Sequence, residues 1–397
     1  MDSSLQTASA RERVLHIIWN ITRICPWCCS ICCVDAVHVS RRSRGVLVRS
    51  HGLARLRVLP GEGGRGIYDT AAAYVQQEGW ELDIGKKLAV VDHIATCRRP
   101  IELDFSGGDP LVVADNLEVM RHAAEVLGRD SISVTTTGAG LRLREPAEIA
   151  RLVSQVEFTY DAPAAELDHR PSGYNRGNLA CVERLAGLGV RLKVLVPITR
   201  SLLSADAVER LYKALHDAGV GVLLLMRLFP VGRGAHATDL IPSAEEYRRV
   251  IQTFRDVERA VRGPRVRLQC ALRGLEAPGG VNPCDMGRDS VAITADGILL
   301  LSAWAMGEEG RPLGPEWVVG SIADEPLASL MSRAQVDTLA RRGDENSGHC
   351  KIFSWLHGGR TPEAMFTKTD PLHASITTAP PRDLPRAEHA GAPPGVV

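Results

Sequence analysis

The sequence predicts an α/β protein: a partial (β/α)6 TIM-like barrel with a small C-terminal α+β auxiliary domain. Three observations predict it. Helix-like and strand-like stretches alternate between residues 86 and 229, and repeated β/α units mean parallel strands joined by right-handed crossovers. The compositionally unusual residues fall at the carboxyl ends of the strands, which in such a barrel is the catalytic edge. From about residue 263 the rhythm changes, which marks a second unit.

In chain order, Val-Leu-His-Ile-Ile-Trp-Asn-Ile-Thr at 14–22 reads as a buried strand. A cysteine-rich loop follows. Residues 36–85 interrupt the alternation as a basic insertion, in which Val46-Leu47-Val48 and Leu56-Arg57-Val58 predict a hairpin. The regular part then runs helix 86–97, strand 100–105, helix 114–127, strand 131–136, helix 145–153, strand 155–161, helix 177–188, strand 191–197, helix 205–218 and strand 221–229. In the second of these helices Leu117, Met120, Ala124 and Leu127 share one face. Two further strands are predicted at Val266–Cys270 and across Ser290–Leu301, the latter turning at Asp296-Gly297. The expected units are a tail at 1–13, a core at 14–262, a C-terminal domain at 263–366 and a disordered tail at 367–397, rich in Pro and Ala.

Composition narrows the function. At 45% hydrophobic the chain of 397 residues can bury a full core. Lys+Arg and Asp+Glu are both 47, which argues against a nucleic-acid or membrane-surface binder. Seven arginines against Glu62 in residues 41–65 make that segment basic: either a lid for an anionic substrate or a hairpin with a solvated face. There is no membrane-length apolar run and no signal peptide. The ten cysteines are therefore expected to be reduced, in a cytoplasmic protein.

Cys25, Cys28, Cys29, Cys32 and Cys33 lie within nine residues. Thiolates this crowded call for a metal centre. Cys25, Cys29 and Cys32 have the spacing C-x-x-x-C-x-x-C, and three ligands leave one cluster iron open. Cys25-x-x-Cys28 and Cys29-x-x-Cys32 also make two adjacent pairs, the pattern of a zinc site. Zinc, however, explains none of the strand-end motifs.

The cysteine spacing, Trp19-Asn20-Ile21-Thr22 before it and Gly107-Gly108-Asp109-Pro110 at the end of the second strand together resemble the radical SAM superfamily, over roughly residues 14–262. The resemblance implies that Cys25, Cys29 and Cys32 hold a 4Fe–4S cluster whose open iron binds S-adenosylmethionine (AdoMet). It implies that Gly107, Gly108 and Asp109 lie against the methionine ammonium. Thr159, in Thr159-Tyr160-Asp161-Ala162-Pro163, falls where the family contacts the ribose. Arg170, in Glu166-Leu167-Asp168-His169-Arg170, falls where an arginine pairs with the AdoMet carboxylate, or else it sits on a solvated helix. Arg233 either faces the methionine or caps the rim. Ile31 stands where the family usually has an aromatic residue, with Trp27 as a substitute.

Cys270 and Gly279-x-x-x-x-Cys284 resemble the opening of a SPASM or twitch domain, with Cys350 further on. At most one auxiliary cluster fits, on Cys270, Cys284 and Cys350; the alternative is a degenerate domain with inert thiols. Cys97 and Cys181 read as core. The resemblance implies a reductant such as flavodoxin or ferredoxin and a peptide or natural-product precursor as substrate. A small sugar, nucleoside or amino acid is the alternative, as is a non-catalytic iron–sulfur or zinc protein. With about 13 residues before the first strand, no fused leader-binding domain is expected, and a separate protein would supply that function.

Overall fold

The computed structural model describes residues 13–43, 45–61, 64, 66–162, 167, 169–276 and 283–373. Its strands are β1 (Leu15–Thr22), β2 (Ile24–Cys25), β3 (Val37–Arg42), β4 (Gly45–Ser50), β5 (Arg55–Pro60), β6 (Ile101–Gly107), β7 (Ile132–Thr136), β8 (Gln155–Thr159), β9 (Arg191–Ile198), β10 (Val222–Arg227), β11 (Arg265–Leu268), β12 (Ser290–Ile293), β13 (Ile298–Leu300) and β14 (Val318–Ser321). Six of them, β1 and β6 to β10, are the expected barrel strands, parallel and in sequence order.

Period-two alternation sorts their side chains. Leu15, Ile17, Trp19 and Ile21 of β1 are fully buried and join Leu103, Phe105, Val90, Val91 and Ile94 in the main core. His16, Ile18, Asn20 and Thr22 take the opposite face, which the register continues through Asp104, Ser133, Glu157 and Lys193. The barrel is thus oily under its helices and polar in its lumen. The helix Ala205–Asp217 shows why the outer layer forms. Ser204 caps it by accepting from the Ala207 N–H, and Val208, Leu211, Tyr212 and Leu215 make one buried stripe. Each such side chain contributes roughly 1.5–3 kcal/mol, so Leu211→Ala should cost about 2–5 kcal/mol.

The C-terminal segment does not stand apart as a separate sheet. β11 extends the barrel beyond β10, while β12 pairs in parallel with β1, His16 opposite Ser290 and Trp19 opposite Ile293. β13 and β14 follow antiparallel, around the expected Asp296-Gly297 turn. Residues 367–373, assigned by composition to the tail, are ordered: Asp370 is 2.8 Å from Arg227 in a buried ion pair, and Leu372 is buried. The rest of that tail, 374–397, lies outside the described residues, as does most of the tail at 1–13.

The insertion packs around a second, smaller core, to which Ile24, Val112 and Val113 from outside it also contribute. β2 to β5 form a sheet in sequence order, and Val37, Val39, Val46 and Val48 pack against Ala71, Ala72 and Val75 of the helix Ile67–Gln77. The β4–β5 hairpin leaves Leu56 and Val58 exposed, so its outer face is solvated. Among the described residues, no helix is long and apolar enough to cross a membrane.

Candidate active site at the cysteine loop

The cysteine loop leaves β1 at the carboxyl edge of the sheet. Cys25 and Cys29 are buried and Cys32 half-buried. The Cys25 Sγ accepts the Trp27 N–H at 3.4 Å, and the Cys32 Sγ accepts that of Ala36 at 3.4 Å. Burial, followed by the charges of Asp109 and Cys29, pushes the Cys25 thiol well up. Burial pushes Cys29 up as well, against the pull of Arg170. Thiols this buried and this mutually repulsive hold protons on their own and ionise when a metal binds them, so the donor set suits an iron cluster. Cys33 is pushed up to about 12 by burial and then by Cys32.

Two arginines hold the loop. Arg233 donates from Nε to the Cys29 carbonyl at 2.9 Å and from Nη1 to Asp35 at 2.8 Å and the Ala36 carbonyl at 2.6 Å, so of the two roles open to it the structure gives it the rim. Arg170 donates from Nε to Asp161 at 2.7 Å, lies 4.7 Å from the Tyr174 ring and is close enough to Cys29 for their charges to interact. It is part of the loop's surroundings and not a solvated helix residue. Burial opposes its charge, but Asp161 and Cys29 hold its pKa above the ordinary arginine value. The neighbouring Glu166 and Asp168 lie outside the described residues.

Gly107 and Gly108 zip against the end of β1. The Gly108 N–H donates to the Thr22 carbonyl and the Asp109 N–H to that of Ile24, both at 2.8 Å. A Cβ at Gly107, whose φ is +123°, would overlap the Thr22 carbonyl. Asp109 is wholly buried, and its carboxylate faces inward. It accepts from the Leu111 N–H at 3.2 Å, the Thr136 hydroxyl at 2.6 Å, the Thr137 hydroxyl at 2.5 Å and N–H at 3.3 Å, and the Gly140 N–H at 3.0 Å. It fastens strand ends together. Thr137 in turn accepts from the Trp27 indole at 3.1 Å, which holds Trp27 beside the loop, whereas Ile31 packs with Leu228 and Ala237. Thr159 lies at the end of β8, its carbonyl held by Asn178 at 2.7 Å.

The sequence reading missed Asp35 and a fully buried group below the glycines. There Glu81 takes the Thr22 hydroxyl at 2.7 Å and the Lys87 ammonium at 2.6 Å, and Lys87 reaches Asn116 at 2.9 Å. Nothing in a lone Glu and Lys six residues apart marks them as interior.

The comparisons add to this geometry. No protein-family model matches the chain. It is 23% identical over 339 residues to an AdoMet-dependent heme synthase of Oleidesulfovibrio alaskensis, covering 80% of this chain and 84% of that protein. A like-named protein of Nitratidesulfovibrio vulgaris is 22% identical over 300 residues, 70% of this chain and 78% of the relative. Among solved structures, anSMEcpe with bound AdoMet superposes with a TM-score of 0.51 at 16% identity over 82% of each chain. SuiB of Streptococcus suis, bound to S-adenosylmethionine, gives 0.55 at 10% identity over 83% of this chain and 68% of that one. The chain thus shares its fold with AdoMet-bound proteins and is similar in sequence to proteins named AdoMet-dependent heme synthases.

Three further cysteines lie in the C-terminal segment. Burial, then Asp285, Cys284 and Cys350, push Cys270 well up, and burial with Asp370 pushes Cys350 up to about 12. Cys284 is raised by burial too. Cys270, Cys284 and Cys350 are thus close enough to feel one another's charge. Cys181 is buried and donates to the Gly138 carbonyl at 3.3 Å, and Cys97 packs on the main core.

Proposed function

We propose that Cys25, Cys29 and Cys32 carry a 4Fe–4S cluster that binds AdoMet, and that the enzyme abstracts hydrogen from a peptide or natural-product precursor. One observation carries this reading: Cys25, Cys29 and Cys32 share one loop at the sheet's catalytic edge, two of them buried, with Arg233 on the Cys29 carbonyl and the Arg170 charge beside the Cys29 thiol. When bound, the cluster supplies the electron that cleaves AdoMet to a 5′-deoxyadenosyl radical. The chain's own work is positioning. Arg233 and Asp35 fix the loop; Arg170 lies beside Cys29, in reach of a carboxylate; Gly107 and Gly108 let the backbone approach a ligand. Asp109 acts from behind them as a positioning residue, and the end of β8 at Thr159 is the ribose side. Cys270, Cys284 and Cys350 are proposed to hold one further cluster in a SPASM- or twitch-like region, with flavodoxin or ferredoxin as reductant, in the cytoplasm.

The structure of SuiB bound to its precursor peptide supports a peptide substrate by likeness of fold. The two sequence relatives support a second reading, a heme-forming reaction. Anaerobic reconstitution followed by chromatography for 5′-deoxyadenosine tests the proposal. Cys29→Ala should abolish that product and most of the bound iron, and retained turnover would refute the assignment. Stimulation by a precursor peptide or by a tetrapyrrole separates the two substrates.

A further inference from the structure

A cavity of about 370 Å³ opens between the cysteine loop, the insertion and the segment after β13. Asn20 and Thr22 of β1 line it, and by strand alternation they lie on the lumen face, so the cavity joins the barrel interior at its catalytic edge. Arg23 lines it too. Only 8% of Arg23 is exposed, yet its Nε has no hydrogen-bond partner among the described residues. Its Nη2 donates to the Asp35 carbonyl at 3.1 Å, and the guanidinium carbon lies 6.0 Å from the Trp80 ring, which also lines the cavity.

The carboxylates around Arg23 are engaged elsewhere. Asp35 binds Arg233 and the Gly52 and Glu309 N–H groups. Glu309 faces His51 at 3.4 Å and Arg311 at 3.3 Å. Asp296 accepts from the Thr294 hydroxyl at 2.5 Å. A buried guanidinium with a donor left over costs free energy unless an acceptor completes it, and its charge favours an anionic one. Gly310 lies directly before that donor: a Cβ there would come 2.9 Å from Nε.

We propose that this cavity is the substrate's anion subsite, taking a carboxylate on Arg23 with the flat group that bears it set against Trp80. The inference deepens the proposed function, on which it rests only for calling the ligand a substrate. A free carboxylic acid and an acidic residue of a peptide share this chemistry, and the test carries an arm for each.

The test is calorimetric titration of the anaerobic holoenzyme without AdoMet or reductant. One arm compares benzoate with benzamide; the other compares a blocked peptide with a single Glu against the same peptide with Gln. In at least one arm the carboxylate should bind about tenfold to a hundredfold tighter than its amide, the range of a charged hydrogen bond. Arg23→Gln should remove that preference and Arg23→Lys should keep part of it. Because Arg23 adjoins the loop, Gly310→Ala provides a second route: with iron content unchanged, it should weaken the carboxylate and spare the amide. The proposal is overturned if neither arm shows a preference, or if the preference survives both Arg23→Gln and Gly310→Ala. It is overturned equally if AdoMet displaces the carboxylate and Arg23→Gln abolishes AdoMet binding, since the occupant is then AdoMet. Failure of the radical reading looks different: carboxylate binding persists while no 5′-deoxyadenosine forms.

Discussion

Arg233 and Asp35, 198 residues apart in the chain, meet in a buried ion pair 2.8 Å long that ties the last barrel strand's loop to the first. Neither side chain is alone there. The same guanidinium holds the Cys29 carbonyl, and the same carboxylate takes backbone N–H groups of Gly52 and Glu309. The pair thus joins barrel, cysteine loop, insertion and C-terminal segment.

Removing one partner leaves the other charged and buried. Arg233→Met should therefore destabilise the protein by about 3–5 kcal/mol, and Asp35→Asn by a similar amount. The double variant Arg233→Met/Asp35→Leu should cost less than the sum of the two single changes, because the uncompensated charge is gone. Denaturant midpoints measure this. Iron per chain should fall in the single variants, since the loop carrying Cys29 loses its clamp; full iron loading would show that the clamp is dispensable.

Asp109 makes a sharper point about role. Asp109→Ala would orphan donors from Leu111, Thr136, Thr137 and Gly140, and should cost about 3 kcal/mol or more. If Asp109 instead served mainly to bind AdoMet, stability would change little and AdoMet affinity would carry the loss. Thermal melts beside AdoMet titrations separate the two.

For the second cysteine group, Cys284→Ala should remove about four irons per chain and leave 5′-deoxyadenosine formation in place. An unchanged iron count would mean that Cys270, Cys284 and Cys350 are inert core thiols.

What was legible in the sequence follows from how local its cause is. The six barrel strands and their helices were readable because apolar spacing is local, as in Val208, Leu211 and Leu215. The cysteine loop was readable because its cysteines are near neighbours in the sequence. The helix Ala244–Val261 could have been read from its capping box, in which Ser243 and Glu246 satisfy each other's N–H groups, and from Tyr247, Val250, Ile251 and Phe254 on one face. The pairing of β12 with β1 was not legible, because strands that far apart carry no mutual signal beyond being apolar. Nor was the inward turn of Lys87, since a lysine on a helix reads as solvated until Glu81 and Asn116 are placed around it.

Asp104 carries the last prediction. It points into the barrel lumen from β6 and accepts from the Ser133 and Thr135 hydroxyls, each at 2.8 Å. Across β7 lies Glu157, paired with Lys193 at 2.9 Å and with Gln155 at 2.7 Å; the remaining charged pair on that face, His16 and Glu102, is 3.0 Å apart. Lys193 is thus spent on Glu157. Burial, then the Glu157 charge, push the Asp104 carboxyl from 3.8 up to about 7. For an acid raised in the folded state, the contribution to stability is whole below the unfolded value and is lost as pH climbs through the folded one. Asp104→Asn should therefore gain stability relative to the wild type across that interval, 3.8 to about 7. Infrared difference spectra against Asp104→Asn should show a protonated-carboxyl band that is half lost near pH 7, and Glu157→Gln should move that midpoint down by removing the like charge. A carboxyl already ionised at about pH 5 would mean that the hydroxyls of Ser133 and Thr135 outweigh burial and that the lumen holds no proton. A midpoint near 7 indifferent to Glu157 would mean that burial alone holds it.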